Sequence, residues 1–261
     1  MSNLAQRVIF AVIGAAMLLF CVWYSAWTFA LFFAAVQAKM LLEFYRMMRA
    51  AGYRPAALLG AGVSILLFTA VASFYIIIDY HSQTTSNAFE LVMVALGLLA
   101  QVRAYGILLL LLPTLLILRE MAIWPRSKNP FGNVAVNLLG LFYVTLPMTL
   151  LNVVARSEET GYDPRRVLAL LLLVWSSDIG AYAAGKTFGR HKLAPSISPG
   201  KTWEGAIGGF LLTLGMGWAL GYLLPELSLT YRLVVAGVVA VFGPLGDLAK
   251  SMLKRSVDVK D

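Results

Sequence analysis

Two carboxylates stand inside apolar runs, where a membrane-embedded helix carries a charge only at a cost. Asp178 follows Leu170-Leu-Leu-Leu-Val-Trp-Ser-Ser, and Asp247 lies in Val241-Phe-Gly-Pro-Leu-Gly-Asp-Leu. An ionisable group at such depth costs at least about 2.5 kcal/mol on insertion scales, which makes a functional role the first hypothesis and a paired structural carboxylate near the interface the plainer one. A polar stripe begins at the second of them: Asp247, Ser251, Lys254, Asp258 and Asp261 recur at spacings of 4, 3, 4 and 3. On a continuing helix all five share one face, with Lys250 and Arg255 beside them. Carboxylates alternating with cations suit a metal bound to phosphates: Asp oxygens hold the ion and Lys or Arg neutralises the remaining phosphate oxygens. Asp247 and Asp258 are 11 residues apart, roughly 16 Å on a straight helix, so they cannot share one ion there, whereas Asp258 and Asp261 can.

The third feature is the stretch 186–204, which combines four Lys/Arg with His191, hydroxyls and turn residues. A helix starting near Lys201 offers free backbone N–H groups and a positive dipole end to a phosphate. An ordinary basic loop explains the charge, but not Ser198-Pro-Gly-Lys-Thr202 leading into Glu204-Gly205. His191 alone is not a metal-ligand candidate. Gly180-Ala-Tyr-Ala-Ala-Gly185-Lys186-Thr187 satisfies the P-loop pattern. That loop must join a buried strand to a helix, and here it continues an apolar helical run, so the match reads as coincidence.

The elements that position these residues are membrane helices. Of 261 residues 60% are hydrophobic and 13% charged, against about 25% charged in soluble domains. Disorder, coiled coil and a fibrous repeat are excluded. The run 8–38 holds no charge and as one helix would measure roughly 46 Å, too long for a core of about 30 Å. It is therefore expected to form two helices, the second reaching residue 48. Further helices are expected at 56–78, 88–118, 134–154, 166–185, 203–224 and 232–249. Arg103 interrupts the stretch 88–118, which either crosses once or is partly re-entrant. The fold class is all-α, a polytopic transmembrane bundle of eight or nine helices. It is read as one membrane-embedded domain over 1–261, with N-terminal helices to about 165 and the chemistry in about 166–261.

Lys and Arg exceed Asp and Glu by 21 to 13. They cluster at 39–54, 119–128, 186–201 and 250–260, the pattern of cytoplasmic loops rather than of a nucleic-acid surface. The single cysteine, Cys21, lies in the first apolar run and has no intrachain disulfide partner.

At these residues the chain resembles the phosphatidate cytidylyltransferases, or CDP-diacylglycerol synthases. Ser251-Met-Leu-Lys254-Arg255-Ser-Val-Asp-Val-Lys260-Asp261 is similar to the opening Ser-x-x-Lys-Arg-x4-Lys-Asp of that family's C-terminal signature, and Gly246-Asp247-Leu248 to its Gly-Asp-Leu. Ser177-Asp178-x-x-Ala181-Tyr182-x-x-Gly185-x-x-Phe188-Gly189 and Ser198-Pro-x-Lys201-Thr202-x-Glu204-Gly205 resemble two further family stretches, with Gly200 where the second commonly has Lys. The family signature continues with Pro-x-His-Gly-Gly and Asp-Arg-x-Asp segments that carry metal-site aspartates, and the sequence stops at Asp261. A C-terminal truncation is therefore expected, and an inactive chain if those aspartates are missing.

The resemblance implies transfer of a cytidylyl group from CTP to phosphatidate, giving CDP-diacylglycerol and pyrophosphate in phospholipid synthesis. It implies Mg²⁺, with a second cation open, on Asp178, Asp247, Asp258 and Asp261. It further implies that Lys254 and Arg255 act beside Asp178, Asp247 and Asp261 in catalysis, and that Ser198, Lys201, Thr202, Ser251 and Lys260 bind substrate. The expected partners are CTP, phosphatidate, the bilayer and, as an open alternative, a second copy, with no nucleic acid. The expected place is a bacterial inner membrane with the site facing the cytoplasm. Two rival readings are a transporter or ion pathway, with Asp178 and Asp247 as a cation site, and a nucleotide-dependent polyprenol or phytol kinase.

Overall fold

The break at the first helix pair is made by Ser25. The structure, a computed structural model, describes residues 3–84, 87–157 and 159–257. Helix α1 is Asn3–Tyr24 and α2 is Ala26–Ala50, and between them Ser25 is extended at φ −166°. Its side chain accepts the Thr28 N–H at 3.1 Å while Thr28 Oγ1 accepts the Ser25 N–H at 3.1 Å, a reciprocal cap that satisfies two orphan donors of α2. Helices α3, Ala57–Thr84, and α4, Ala88–Ala122, follow. The fourth runs unbroken through Arg103 and Pro113 over 35 residues, so the chain does not turn back on itself within this stretch. Helix α5, Pro130–Val154, widens into a π-turn at Leu141–Thr145 just before Pro147, which has no N–H to give the ladder. A two-residue ribbon, β1 Arg156–Ser157 against β2 Gly161–Tyr162, leads into α6, Pro164–Phe188. Helix α7 is Trp203–Tyr222 and α8 is Leu229–Ser256. Among the described residues seven helices are long and apolar enough to cross a membrane, and the apolar part of α1 is shorter, Val8–Tyr24. The chain is an all-α, polytopic membrane protein, at the lower of the two expected helix counts.

The chain divides into two units, Met1–Pro164 and Arg165–Asp261. The first is built around α2, whose Phe29, Leu41, Phe44 and Tyr45 are buried. The Tyr45 hydroxyl donates to Asn137 O at 3.0 Å. Its side chain lies where a Cβ on Gly60 or Gly140 would approach to 2.6 and 2.7 Å, so both positions admit only glycine without moving the ring. At the β1–β2 end, Arg156 pairs with Asp79 at 2.9 Å and stacks over Tyr75. Tyr162 donates to Val22 O at 2.5 Å, and burial, with the Asp163 carboxylate, pushes its phenol above the ordinary value.

The second unit holds the residues singled out for chemistry. Lipid tails provide no hydrophobic drive between helices, so close backbone packing must do that work. A Cβ on Gly180 would stand 2.8 Å from Gly208 O, and one on Gly209 the same distance from Ser177 O. Glycine thus brings α6 and α7 into backbone contact, while Gly217 packs against Ala236 of α8. Beyond that crossing lies an apolar cluster of Ala169, Leu173, Leu220, Leu224 and Ala236. The stretch between α6 and α7, expected as a loop, is instead an antiparallel hairpin, β3 Lys192–Ala194 and β4 Ser198–Thr202, with Lys192 opposite Thr202.

Candidate active site

Where the hairpin meets α6, α7 and α8, the second unit encloses a cavity of about 370 Å³. Helix α6 contributes Asp178, Tyr182 and Lys186; the hairpin, Gly200, Lys201 and Thr202; α7, Gly205 and Ala206; and α8, Pro244 and Asp247. Four residues marked out by sequence thus come together: Asp178, Lys201, Thr202 and Asp247. Ser198, Ser251, Lys254 and Arg255 are not part of its lining. Ser251 and Lys254 nevertheless sit one and two turns past Asp247 on α8, extending the same polar face. Asp258, Lys260 and Asp261 lie outside the described residues.

Each lining group has a local reason for its place. Asp247 follows Gly243-Pro244-Leu-Gly246 within an unbroken α8. Lys201 donates to its Oδ2 at 2.6 Å and to Pro244 O at 3.3 Å, so the hairpin is tied to α8 by one ammonium. Thr202 caps α7, its Oγ1 accepting the Gly205 N–H at 3.2 Å. It fits because the chain turns at Gly189, where a Cβ would come within 2.2 Å of Gly185 O and 3.0 Å of Thr202 Oγ1. The α7 start therefore presents its positive dipole end at the cavity. The helix running through 180–187 ends the P-loop reading of that stretch.

Two polar lining residues, Tyr182 and Lys186, were given no site role from sequence, although both stand in the stretches singled out there. Lys186 lies 5.6 Å over the Tyr182 ring and has no carboxylate partner among the described residues. The spacing Asp178-x3-Tyr182-x3-Lys186 sets all three along one helical face, a signal that would have found them.

The cavity therefore offers two carboxylates, two ammonium groups and a helix N-terminus. Among the described residues no three His, Cys, Asp or Glu side chains gather as a complete metal cage. Two hard-oxygen donors facing one cavity nonetheless fit Mg²⁺, which keeps several waters and takes its other ligands from substrate phosphates.

The cavity of the second unit sets two carboxylates against two lysines at the start of a helix. Residues 5–261 match the cytidylyltransferase family, and the chain belongs to that family. It is similar to the phosphatidate cytidylyltransferase of Bacillus subtilis, at 28% identity over 100% of this chain and 88% of the relative. It is also similar to that of Haemophilus influenzae, at 38% identity over 52% of this chain and 49% of the relative, and to that of Staphylococcus aureus, at 39% over 52% and 51%. In these last two alignments the chain spans about half the length of the curated relatives it matches. The expected C-terminal truncation is not borne out by these matches.

Proposed function

We propose that the chain transfers the cytidylyl group of CTP to phosphatidate, giving CDP-diacylglycerol and pyrophosphate. One observation carries this reading: Asp178, Asp247, Lys186 and Lys201 line a single cavity at the start of α7. A phosphate monoester has a second pKa near about 6, so phosphatidate is largely dianionic at neutral pH and needs no base. One of its oxygens attacks the α-phosphorus of CTP. The new P–O bond forms as the bond from the α-phosphorus to the bridging oxygen breaks, and that electron pair leaves with pyrophosphate.

The obstacle is electrostatic, since two polyanions must meet. Lys186, Lys201 and the α7 N-terminus hold phosphate oxygens, and their positive charge is worth most where water is thin. Asp178 and Asp247 would hold Mg²⁺, which when bound offsets charge on both reactants. Ser251, Lys254 and Arg255 extend the phosphate contacts along α8, Ser198 supplies a hydroxyl from the hairpin, and Asp258, Lys260 and Asp261 keep the metal and phosphate roles that the family resemblance implies. Phosphatidate keeps its acyl chains among the membrane helices. The basic character of the hairpin supports a site on the cytoplasmic face of a bacterial inner membrane.

The test is turnover of labelled CTP with phosphatidate vesicles by the purified protein. A cytidine-containing lipid and stoichiometric pyrophosphate are expected. Ion flux in liposomes without that lipid would overturn the reading, and so would a lipid monophosphate lacking cytidine.

A further inference from the structure

Glu204 accepts several hydrogen bonds from the Arg190–His191 turn, yet it does not line the cavity. Its Oε2 accepts the Arg190 N–H at 3.1 Å and its Oε1 the His191 N–H at 3.2 Å, while His191 Nδ1 lies 2.6 Å from Oε1. The Trp203 N–H in turn donates to His191 O at 2.9 Å. This is not a helix cap. Thr202 already serves the first turn of α7, and Glu204 instead reaches 13 residues back along the chain. The carboxylate and the two backbone groups of His191 close a ring at the base of the hairpin, and Lys201 and Thr202 stand directly beside that closure.

We propose that Glu204, with His191, is the clasp that positions the β3–β4 hairpin, and through it Lys201, for the nucleotide phosphates. It is a positioning residue that acts by reach and acceptor geometry, not by charge on the substrate. The inference rests on the cytidylyltransferase reading for its substrate. Its structural part stands independently: with the clasp closed, Lys201 rests at Asp247 and Pro244. With the clasp open, β4 keeps its short pairing with β3, the Thr202 cap and the Trp203–His191 backbone bond, and the solvent-exposed tie from Lys201 to α8 must hold the ammonium by itself. Lys201 then loses its fixed placement, and a misplacement near 1 Å at such a group can cost on the order of 10²-fold in rate.

Three substitutions separate reach from charge. Glu204→Gln keeps the length and an oxygen that accepts both backbone N–H groups. Glu204→Asp keeps the charge but is one methylene short, and Glu204→Ala removes both. The expected order of KM for CTP is wild type, then Glu204→Gln within about threefold, then Glu204→Asp and Glu204→Ala raised about tenfold or more, with KM for phosphatidate unchanged. A Glu204→Asp variant better than Glu204→Gln would overturn the clasp, because charge would then be the working property.

A second readout needs no activity. Spin labels are placed at Gly200→Cys and Gly215→Cys in a Cys21→Ser background; both glycines have open space at Cβ. A narrow interlabel distance distribution is expected with Glu204 in place and with Glu204→Gln, and a broad one with Glu204→Asp or Glu204→Ala. Equal widths in all four would overturn the proposal. If the widths behave as expected but no cytidine lipid forms from wild type, the functional reading fails while the clasp stands.

Discussion

The two units treat polar side chains in opposite ways. In Met1–Pro164, Gln37 and Ser64 are fully buried, and Gln37 Nε2 donates to Ser64 O and Oγ at 2.8 Å each. Thr145 Oγ1 bonds the same serine at 3.0 Å. Glu120, also buried, is held by Arg119, by Ser127 at 2.6 Å and by Asn133 at 2.9 Å. In Arg165–Asp261, Asp178, Lys186 and Asp247 are exposed to an open cavity, and the Lys201–Asp247 ion pair that spans it leaves the Asp247 side chain 56% exposed. A buried network whose members satisfy one another fixes a packing arrangement. Charged groups left facing a cavity await a ligand. The first unit reads as scaffold and the second as site.

The strongest way to break that contrast is to remove charge in the second unit without changing shape. Asp247→Asn and Asp178→Asn should each lower turnover by on the order of 10²–10³-fold, while the thermal unfolding of the purified protein stays where it was. Neither side chain is buried, and an exposed ion pair such as Lys201–Asp247 adds only about 0–1 kcal/mol. Retained turnover in Asp247→Asn would remove its metal role.

The opposite experiment belongs to the first unit. Gln37→Leu takes the acceptor from Thr149 and leaves Ser64 with Thr145 as its side-chain partner, and should cost about 1–3 kcal/mol of stability. Activity per folded molecule should not change. Denaturant titration in detergent micelles measures the first quantity, and turnover normalised to folded protein the second. A loss of specific activity would mean that the scaffold reading is wrong.

How much of this was legible in the sequence follows from the physics of each element. Membrane helices announce themselves by length and apolarity, and a division of the run 8–38 followed from its being too long for one crossing, although its place at Ser25 did not. Asp178 and Asp247 were visible for the same reason, as charges in apolar surroundings. Arg103 misled, because a charge inside an apolar run reads as a boundary, yet α4 carries it through the middle of an unbroken helix. The hairpin was hidden: its strands are 3 and 5 residues long and the second contains Pro199 and Gly200. No period-2 pattern can emerge over so few residues. The clasp at Glu204 joins residues 13 apart through backbone N–H groups, and backbone donors leave no mark in side-chain identity. Lys186 was passed over within a rejected P-loop match. The C-terminal stripe is on α8 as far as Ser251 and Lys254.

Lys186 sharpens the comparison from inside the site. Its ammonium rests over Tyr182 rather than on a carboxylate, so it loses little on turning to a phosphate. Lys186→Gln should raise the KM for CTP or phosphatidate about tenfold, the worth of one charge-assisted bond of roughly 1.5 kcal/mol, and steady-state kinetics with each substrate varied in turn would show which phosphate it holds. Lys186→Arg should recover most of the loss. No effect on either KM would remove Lys186 from the binding surface.

The smallest effect is expected where the site departs from its family pattern. Gly200 lines the cavity beside Lys201, and a Cβ there meets nothing within 4 Å, so Gly200→Lys can be accommodated without rearranging the hairpin. A lysine at this edge adds a positive charge that faces solvent, where an ion pair is worth about 0–1 kcal/mol and is screened by salt. The KM for CTP should therefore fall by no more than about threefold at low ionic strength, and the gain should vanish as salt approaches about 1 M, where the screening length is about 3 Å. A larger, salt-insensitive gain would show that residue 200 sits in a water-poor part of the cavity in contact with the triphosphate, and the open edge drawn at the hairpin would have to be closed.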